Sequence, residues 1–384
     1  MQPMTNPTLI SIGLDAKRIV ANATGLGAYG RNLVNALASE PGRYRFILYA
    51  PDAGRDDLRS QVRESERVDF AYSGCRWRLA KDRWRAAGVV DDARRDGVRL
   101  YHGLSGELPS GLRRAGIRGL MTVHDLIFMR HPEYYKPVDV WLYKRKFQRS
   151  LQEADRIVAI SECTKRDILF YSDFPEDRID VVYQGCDTRF REPVGEGKMR
   201  EVAARYGLPP RYVLNVGTVE ERKNVLLAVK ALPQLAADVS LVVVGRRTRY
   251  ADTVWEWVAR HGLTSRVLFL EGVPNSDLPA IYRRASAFVY PSRYEGFGIP
   301  IIEAIQSGLP VVAAKGSCLE EAGGPDCCYV DADDSGAMAA ALNGILSTDQ
   351  QQRVERAKNY VRRFENSNVA QQILQEYDRI IHDS

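Results

Sequence analysis

The sequence predicts an α/β protein built from two doubly wound domains, and three observations carry that reading. Short apolar runs alternate with amphipathic segments almost throughout, as expected of parallel strands covered by helices. The alternation breaks between Gln184 and Leu208 and then restarts. At 384 residues the chain exceeds the roughly 250–300 at which one core stops growing. Two Rossmann-like domains facing a cleft are therefore expected, with ligands beyond the carboxyl ends of the strands.

In chain order, apolar runs place strands at 9–14, 44–50, 67–71, 99–102, 118–123, 156–160 and 179–183. Amphipathic spacing places helices at 27–39, 138–153 and 162–171. The segment Gln184–Leu208, with Gly185, Pro193, Gly195, Gly197 and many charges, reads as a linker. Strands follow at 211–216, 239–244, 266–270, 286–290 and 310–313, with helices at 224–236, 251–261, 277–284 and 299–307. The polar tail, 349–382, is helical, with Val361, Phe364, Ile373 and Tyr377 available for docking. The expected domains are 1–190 and 191–365, with a helix in 366–384 returning to the first.

Hydrophobic content of 45% and charged content of 27% are ordinary for a soluble globular chain. No run approaches the roughly 18 apolar residues of a membrane span. The opening MQPMTNPTLI lacks a basic start followed by an apolar core, so no signal peptide is expected. Six cysteines (75, 163, 186, 318, 327 and 328) show no metal-type spacing, and a reduced, cytoplasmic setting accounts for them. A net charge of +5 without a helix-turn-helix, zinc or RNA-type aromatic motif argues against nucleic acid.

The richest segment is Glu295-Gly-Phe-Gly-Ile-Pro-Ile-Ile-Glu303, which sets two carboxylates eight positions apart across a glycine-rich turn leading into a helix. Pro300 suits a first helical position and Glu303 the first turn. Gly296 and Gly298 permit close backbone approach, and a helix start favours anions. Hydroxyl acceptors beside an anion site suit a molecule carrying both sugar and phosphate. Earlier, Asn215-Val-Gly217-Thr218-Val-Glu-Glu-Arg222-Lys223-Asn224 puts paired cations at a strand-to-helix turn, where they suit a diphosphate. If phosphate leaves, these charges stabilise it as the bond breaks.

In these motifs, together with Gly245 and Tyr290-Pro291-Ser292, the chain resembles the retaining glycosyltransferases of family four, which have the GT-B architecture. The resemblance covers essentially the full chain and is most specific between Asn215 and Pro310. It implies that Arg222 and Lys223 hold the donor diphosphate, Glu295 the transferred hexose and Glu303 the ribose. It extends the donor site to Gly217, Thr218, Gly245, Val273, Gly296, Phe297 and Gly298, with the base near Gly245-Arg246 and Leu270–Pro274. Many members carry arginine where this chain has Thr218, which shifts the phosphate contacts onto Arg222 and Lys223. The bacterial O-antigen mannosyltransferases are similar, which implies a GDP-sugar of the GDP-mannose type as donor substrate and no separate cofactor. UDP- or dTDP-sugars, or a non-catalytic nucleotide-sugar-binding protein, are the alternatives.

In the first half, Thr24-Gly25-Leu26-Gly27-Ala28-Tyr29-Gly30 is a glycine-rich loop able to bring N–H groups to a phosphate or sugar. Its glycines also fit a dinucleotide fingerprint, and the second strand, ending Tyr49-Ala50-Pro51-Asp52, leaves an oxidoreductase possible but unsupported. The resemblance places Gly25 and Gly27 near the donor diphosphate and acceptor. It matches His124, at the strand end Thr122-Val123-His124-Asp125, to the histidine that reaches the transferred sugar. His102 is a candidate without that support. No Asp-x-Asp pair ends a strand, so no obligatory metal is expected. The family implies same-face transfer, in which the leaving phosphate accepts the acceptor's proton and the protein positions and stabilises charge.

Arg76-Trp77-Arg78-Leu79-Ala80-Lys81-Asp82-Arg83-Trp84-Arg85 holds five basic residues and one acid. If helical, it sets both tryptophans on one face, which suits an anionic membrane surface. A second basic run, Lys144-Arg145-Lys146, lies near Trp141. A glycan or lipid-linked glycan acceptor, met at the cytoplasmic face of a membrane, is the corresponding expectation. A solvated face with inward-packed tryptophans is the alternative.

Overall fold

The computed structural model describes residues 9–382 and divides into two compact units. The first holds the chain up to Gly185 and again from Phe364; the second is Cys186–Arg363. The opening residues read for a targeting signal lie mostly outside the described part.

The first unit is a seven-stranded parallel sheet in the order β3-β2-β1-β4-β5-β6-β7. Its strands are β1 (Ile10–Asp15), β2 (Tyr44–Ala50), β3 (Val68–Tyr72), β4 (Val98–Gly103), β5 (Arg118–Val123), β6 (Arg156–Ala159) and β7 (Ile179–Val181). All were legible as apolar runs, because a parallel strand is covered on both faces. One side of the sheet buries Ile12, Leu14, Phe46 and Leu100 under the Gly25–Ser39 helix, which contributes Leu33, Val34 and Leu37. The C-terminal helix Asn366–His382 joins this core through Ile373 and Tyr377. The Tyr377 hydroxyl lies 2.8 Å from His102 Nδ1, whose Nε2 lies 2.7 Å from Thr122 Oγ1. His102 is fully buried, and burial pushes its pKa down to about 3. It is a neutral tie between sheet and C-terminal helix, with both ring nitrogens engaged.

The segment 76–85 departs from the expected single helix. Arg78–Arg83 is helical, Trp84–Gly88 widens into a π turn, and Val89–Arg95 resumes the helix. Trp77 and Leu79 are about four-fifths exposed, but Trp84 packs on the core and donates its indole N–H to Asp92 (2.7 Å). The two tryptophans therefore do not form one apolar face. Among the described residues no helix is long and apolar enough to cross a membrane.

The second unit is a six-stranded parallel sheet ordered β10-β9-β8-β11-β12-β13. Its strands are β8 (Tyr212–Val216), β9 (Ser240–Val244), β10 (Val267–Leu270), β11 (Ala287–Tyr290), β12 (Val311–Ala314) and β13 (Cys328–Val330). The predicted linker is not structureless. It contains a turn at Thr188–Phe190 and the helix Glu196–Tyr206, which docks on the helix Leu278–Arg284. Lys198 and Arg205 of that helix close on buried Asp277 at 3.0 and 2.6 Å. Its charge and glycine content hid a helix that is fixed by packing on a later one. The edge strand β13 and the helices Leu319–Gly323 and Ser335–Ser347 were not anticipated.

Candidate active site

At the carboxyl end of β8 the chain turns through Gly217, whose φ of +155° favours glycine. A Cβ on Gly245, at the end of β9, would lie 1.9 Å from the Gly217 carbonyl oxygen. Gly245 is thus required for two strand-end loops to meet, and Val219 N donating to Arg246 O (2.9 Å) fastens them. Thr218 is half-buried in the first loop, and Val273 is half-buried just past β10.

Arg222 and Lys223 lie in a short turn, Glu221–Lys223, rather than on a helix. Asn224 follows with φ +53°, unusual outside glycine. Its amide donates to the Pro291 (3.2 Å) and Ala332 (2.8 Å) carbonyls, which holds the backbone there before the helix Val225–Ala231 begins. The two cations converge on one carboxylate. Lys223 Nζ is 2.5 Å from Glu295 Oε1 and Arg222 Nη1 2.9 Å from Oε2. Ser292 Oγ (2.5 Å) and the Tyr290 hydroxyl (3.2 Å) also donate to Oε1. Lys223 further donates to the Tyr290 hydroxyl at 2.8 Å. Burial opposes ionisation of Glu295, but the two cations outweigh it and hold its pKa at about 2. Glu295 therefore stays a carboxylate and is a poor proton acceptor. Arg222 also pairs with Glu220 at 2.7 Å, so two acids balance two cations.

Glu303 experiences the opposite. It is the fifth residue of the helix Ile299–Gln306, one residue further in than expected, because the helix starts at Ile299 and Pro300 is its second residue. The Tyr282 hydroxyl donates to its Oε2 at 2.8 Å, but burial dominates and raises its pKa to about 7. Tyr282, Phe288 and Tyr290 form a continuous stack, with centroids 5.5 and 5.9 Å apart. Each end tyrosine holds one of the two glutamates, so the row sets their placement. Tyr282 has no motif around it and could not be singled out from sequence.

The connecting turn is sustained by packing. Gly298 has φ +121°, and a Cβ there would lie 3.0 Å from Leu319 Cδ2. Gly296 is buried, and so is Phe297 at 2% exposure, so the phenyl ring belongs to the core rather than to a ligand contact. The buried Cys318 thiol contacts the Phe297 and Glu295 carbonyls at 2.9 and 3.1 Å.

In the first unit the glycine segment is not a loop: the helix starts at Gly25 itself, with neither a side-chain cap nor an acid in its first turn. Gly25 has open space where a Cβ would stand, whereas at Gly27 a Cβ would meet the Asn22 carbonyl oxygen at 1.8 Å. Only the first of the pair is free for close approach; the second seats the helix on the preceding turn. His124, at the end of β5, has Nε2 2.8 Å from the Leu104 carbonyl and Nδ1 2.6 Å from the Gln184 amide. A carbonyl can only accept, so Nε2 carries the proton and Nδ1 accepts. Burial lowers its pKa to about 4. His124 is thus a neutral, oriented ring that lines a cavity of about 230 Å³ with Leu26, Arg18, Asp125, Tyr135 and Tyr143.

Two parallel-sheet units, one with paired cations and paired acids at its strand ends, are those of a GT-B glycosyltransferase. Solved structures share the fold. Sucrose-phosphate synthase from Thermosynechococcus elongatus superposes with TM-score 0.78 at 21% identity, covering 98% of this chain and 100% of that one. Anabaena HepE in complex with UDP and glucose gives 0.75 at 18%, covering 96% and 99%. The model described as Glycosyltransferase Family 4 matches residues 23–190, and that described as Glycosyl transferases group 1 matches 201–364. The O-antigen chain mannosyltransferase B of Escherichia coli is 31% identical over 72% of this chain and 74% of its own length. The O-antigen chain mannosyltransferase RfbU of Salmonella typhimurium is 26% identical over 66% and 67%. The chain belongs to glycosyltransferase family 4 and is a sugar-transferring enzyme.

Proposed function

We propose that this enzyme is a retaining, metal-independent hexosyltransferase that moves mannose or a related sugar from a GDP-sugar to a glycan or lipid-linked glycan in surface-polysaccharide (O-antigen) assembly. The observation that carries it is the Arg222–Lys223–Glu295 cluster tied to Glu303 through the Tyr282–Phe288–Tyr290 row. The two cations take the donor diphosphate, Glu295 the hexose and Glu303 the ribose. Gly217, Thr218 and Gly245 shape the phosphate loop, and Val273 flanks the base. Side-chain cations at the phosphates supply the charge balance for which other enzymes recruit a metal. A carboxylate already committed to two cations is a weak base, which favours proton transfer to the leaving phosphate over a base at Glu295. The relatives named as O-antigen mannosyltransferases support mannose as the transferred sugar.

The first test is a thermal-shift series with GDP, UDP, dTDP and ADP, followed by donor hydrolysis without acceptor. Ligand binding to the folded state raises the melting temperature with affinity, so GDP is expected to give the largest shift. A larger UDP or dTDP shift reassigns the donor. Nucleotide binding without release of nucleoside diphosphate makes the protein a binder and ends the proposal.

The first unit supplies the acceptor side through the uncapped Gly25 helix start and the His124 cavity, with His124 orienting rather than transferring protons. Peripheral contact at the cytoplasmic face of a membrane rests on exposed Trp77 and Leu79 among Arg76, Arg78 and Lys81. Trp77→Ser with Leu79→Ser is expected to abolish co-sedimentation with anionic vesicles at low salt. Undiminished sedimentation would place the contact elsewhere.

A further inference from the structure

A cavity of about 800 Å³ in the first unit lies away from these residues. It opens at the amino ends of four neighbouring strands, β4 to β7, the sheet edge opposite to the one bearing His124. Five arginines line it: Arg99 in β4, Arg113, Arg118 at the start of β5, Arg156 at the start of β6 and Arg178 just before β7. Asp155 and Asp177 are the acids in the lining, which leaves five positive charges against two negative ones, a net +3.

Helices running back against a parallel sheet end at this edge, so some of these arginines serve local carbonyls and acids. Arg113 donates to the Ala154 carbonyl at 3.1 Å, closing the helix Pro137–Glu153. Arg118 pairs with Asp155 at 3.3 Å, and Arg156 with Glu376 at 3.1 Å and with Asp180. One helix cap and two sets of ion pairs therefore explain three. They do not explain Arg99 and Arg178, which have no side-chain partner among the described residues. Two unpaired guanidinium groups in one basin, over a framework that already fixes three others, form a fork-donor site for a planar or tetrahedral oxyanion. The volume exceeds what a single phosphate needs.

We propose that this basin is a second ligand site, distinct from the donor site, that takes a compact polyanion carrying at least two phosphoryl charges. Arg99 and Arg178 make the ligand contacts. The same chemistry is offered by a free pyrophosphate-type molecule and by a phosphorylated lipid headgroup, and the test separates them.

Binding of inorganic pyrophosphate is measured calorimetrically for the full chain and for Arg99→Gln with Arg178→Gln. Both side chains are exposed, so the double variant is expected to keep its melting temperature. Pyrophosphate is expected to bind the parent at two kinds of site. The double variant should lose one of them, with affinity there falling at least about tenfold, and Arg99→Lys with Arg178→Lys should restore part of it. The second arm uses vesicles containing cardiolipin, whose headgroup carries two phosphates. Vesicle binding that needs Arg99 and Arg178 while pyrophosphate binding does not assigns the site to a lipid headgroup. Pyrophosphate and vesicle binding both indifferent to the two arginines overturns the proposal, as does loss of pyrophosphate binding only in Lys223→Ala.

Discussion

Lys223→Ala is expected to lower turnover by about a thousandfold, the scale on which removing one preorganised charge-stabilising donor acts. Acceptor affinity should stay within a small factor. The lysine is mostly buried and its ammonium is held charged by Glu295, so it meets a leaving diphosphate already desolvated and oriented. Interactions that strengthen as charge develops on the leaving phosphate lower the barrier, whereas those made equally in the ground state only lower KM. The variant should fold, because Glu295 keeps Arg222, Ser292 and Tyr290 as partners. Initial rates with both substrates varied, alongside a melting curve, decide the point. Equal losses in turnover and in acceptor affinity would remove Lys223 from the leaving-group role.

The first unit should lose stability sharply between pH 6.5 and 5. His102 and His124 are buried and neutral, with folded pKa values of about 3 and about 4 against an ordinary 6.5. An unfolded chain takes up both protons as pH drops below 6.5, while the folded chain takes up neither until it reaches the lower values. The stability these rings contribute is therefore complete above 6.5 and declines as pH falls. By pH 5 the loss is about 2 kcal/mol for each ring. Glu295, held at about 2, contributes stability that is lost only below its ordinary 4.5, so the histidines act first. Denaturant midpoints at pH 7 and 5, for the parent and for His102→Gln with His124→Gln, measure this. An equal decline in both would assign the acid sensitivity to other groups.

Most strands were legible because parallel strands are uniform apolar runs, whose signal survives without knowledge of their neighbours. The helix at Glu196–Tyr206 and strand β13 were not, since each owes its state to a partner distant in sequence. At the site, spacing located Arg222, Lys223, Glu295 and Glu303, but it could not rank the glycines. Gly25 and Gly27 look alike in sequence, yet one faces open space and the other a carbonyl oxygen. Trp77 and Trp84 likewise look equivalent until the π turn separates an exposed ring from a hydrogen-bonded one.

By itself the sequence determined two doubly wound sheets and a set of cations and acids at their strand ends, because strand periodicity and strand-end motifs are local. Only the tertiary structure decided how those groups are charged. It couples Glu295 to two cations and leaves Glu303 facing a tyrosine in a desolvated position. Two carboxylates in one short segment thereby acquire pKa values of about 2 and about 7, since ionisation depends on what surrounds a group in space.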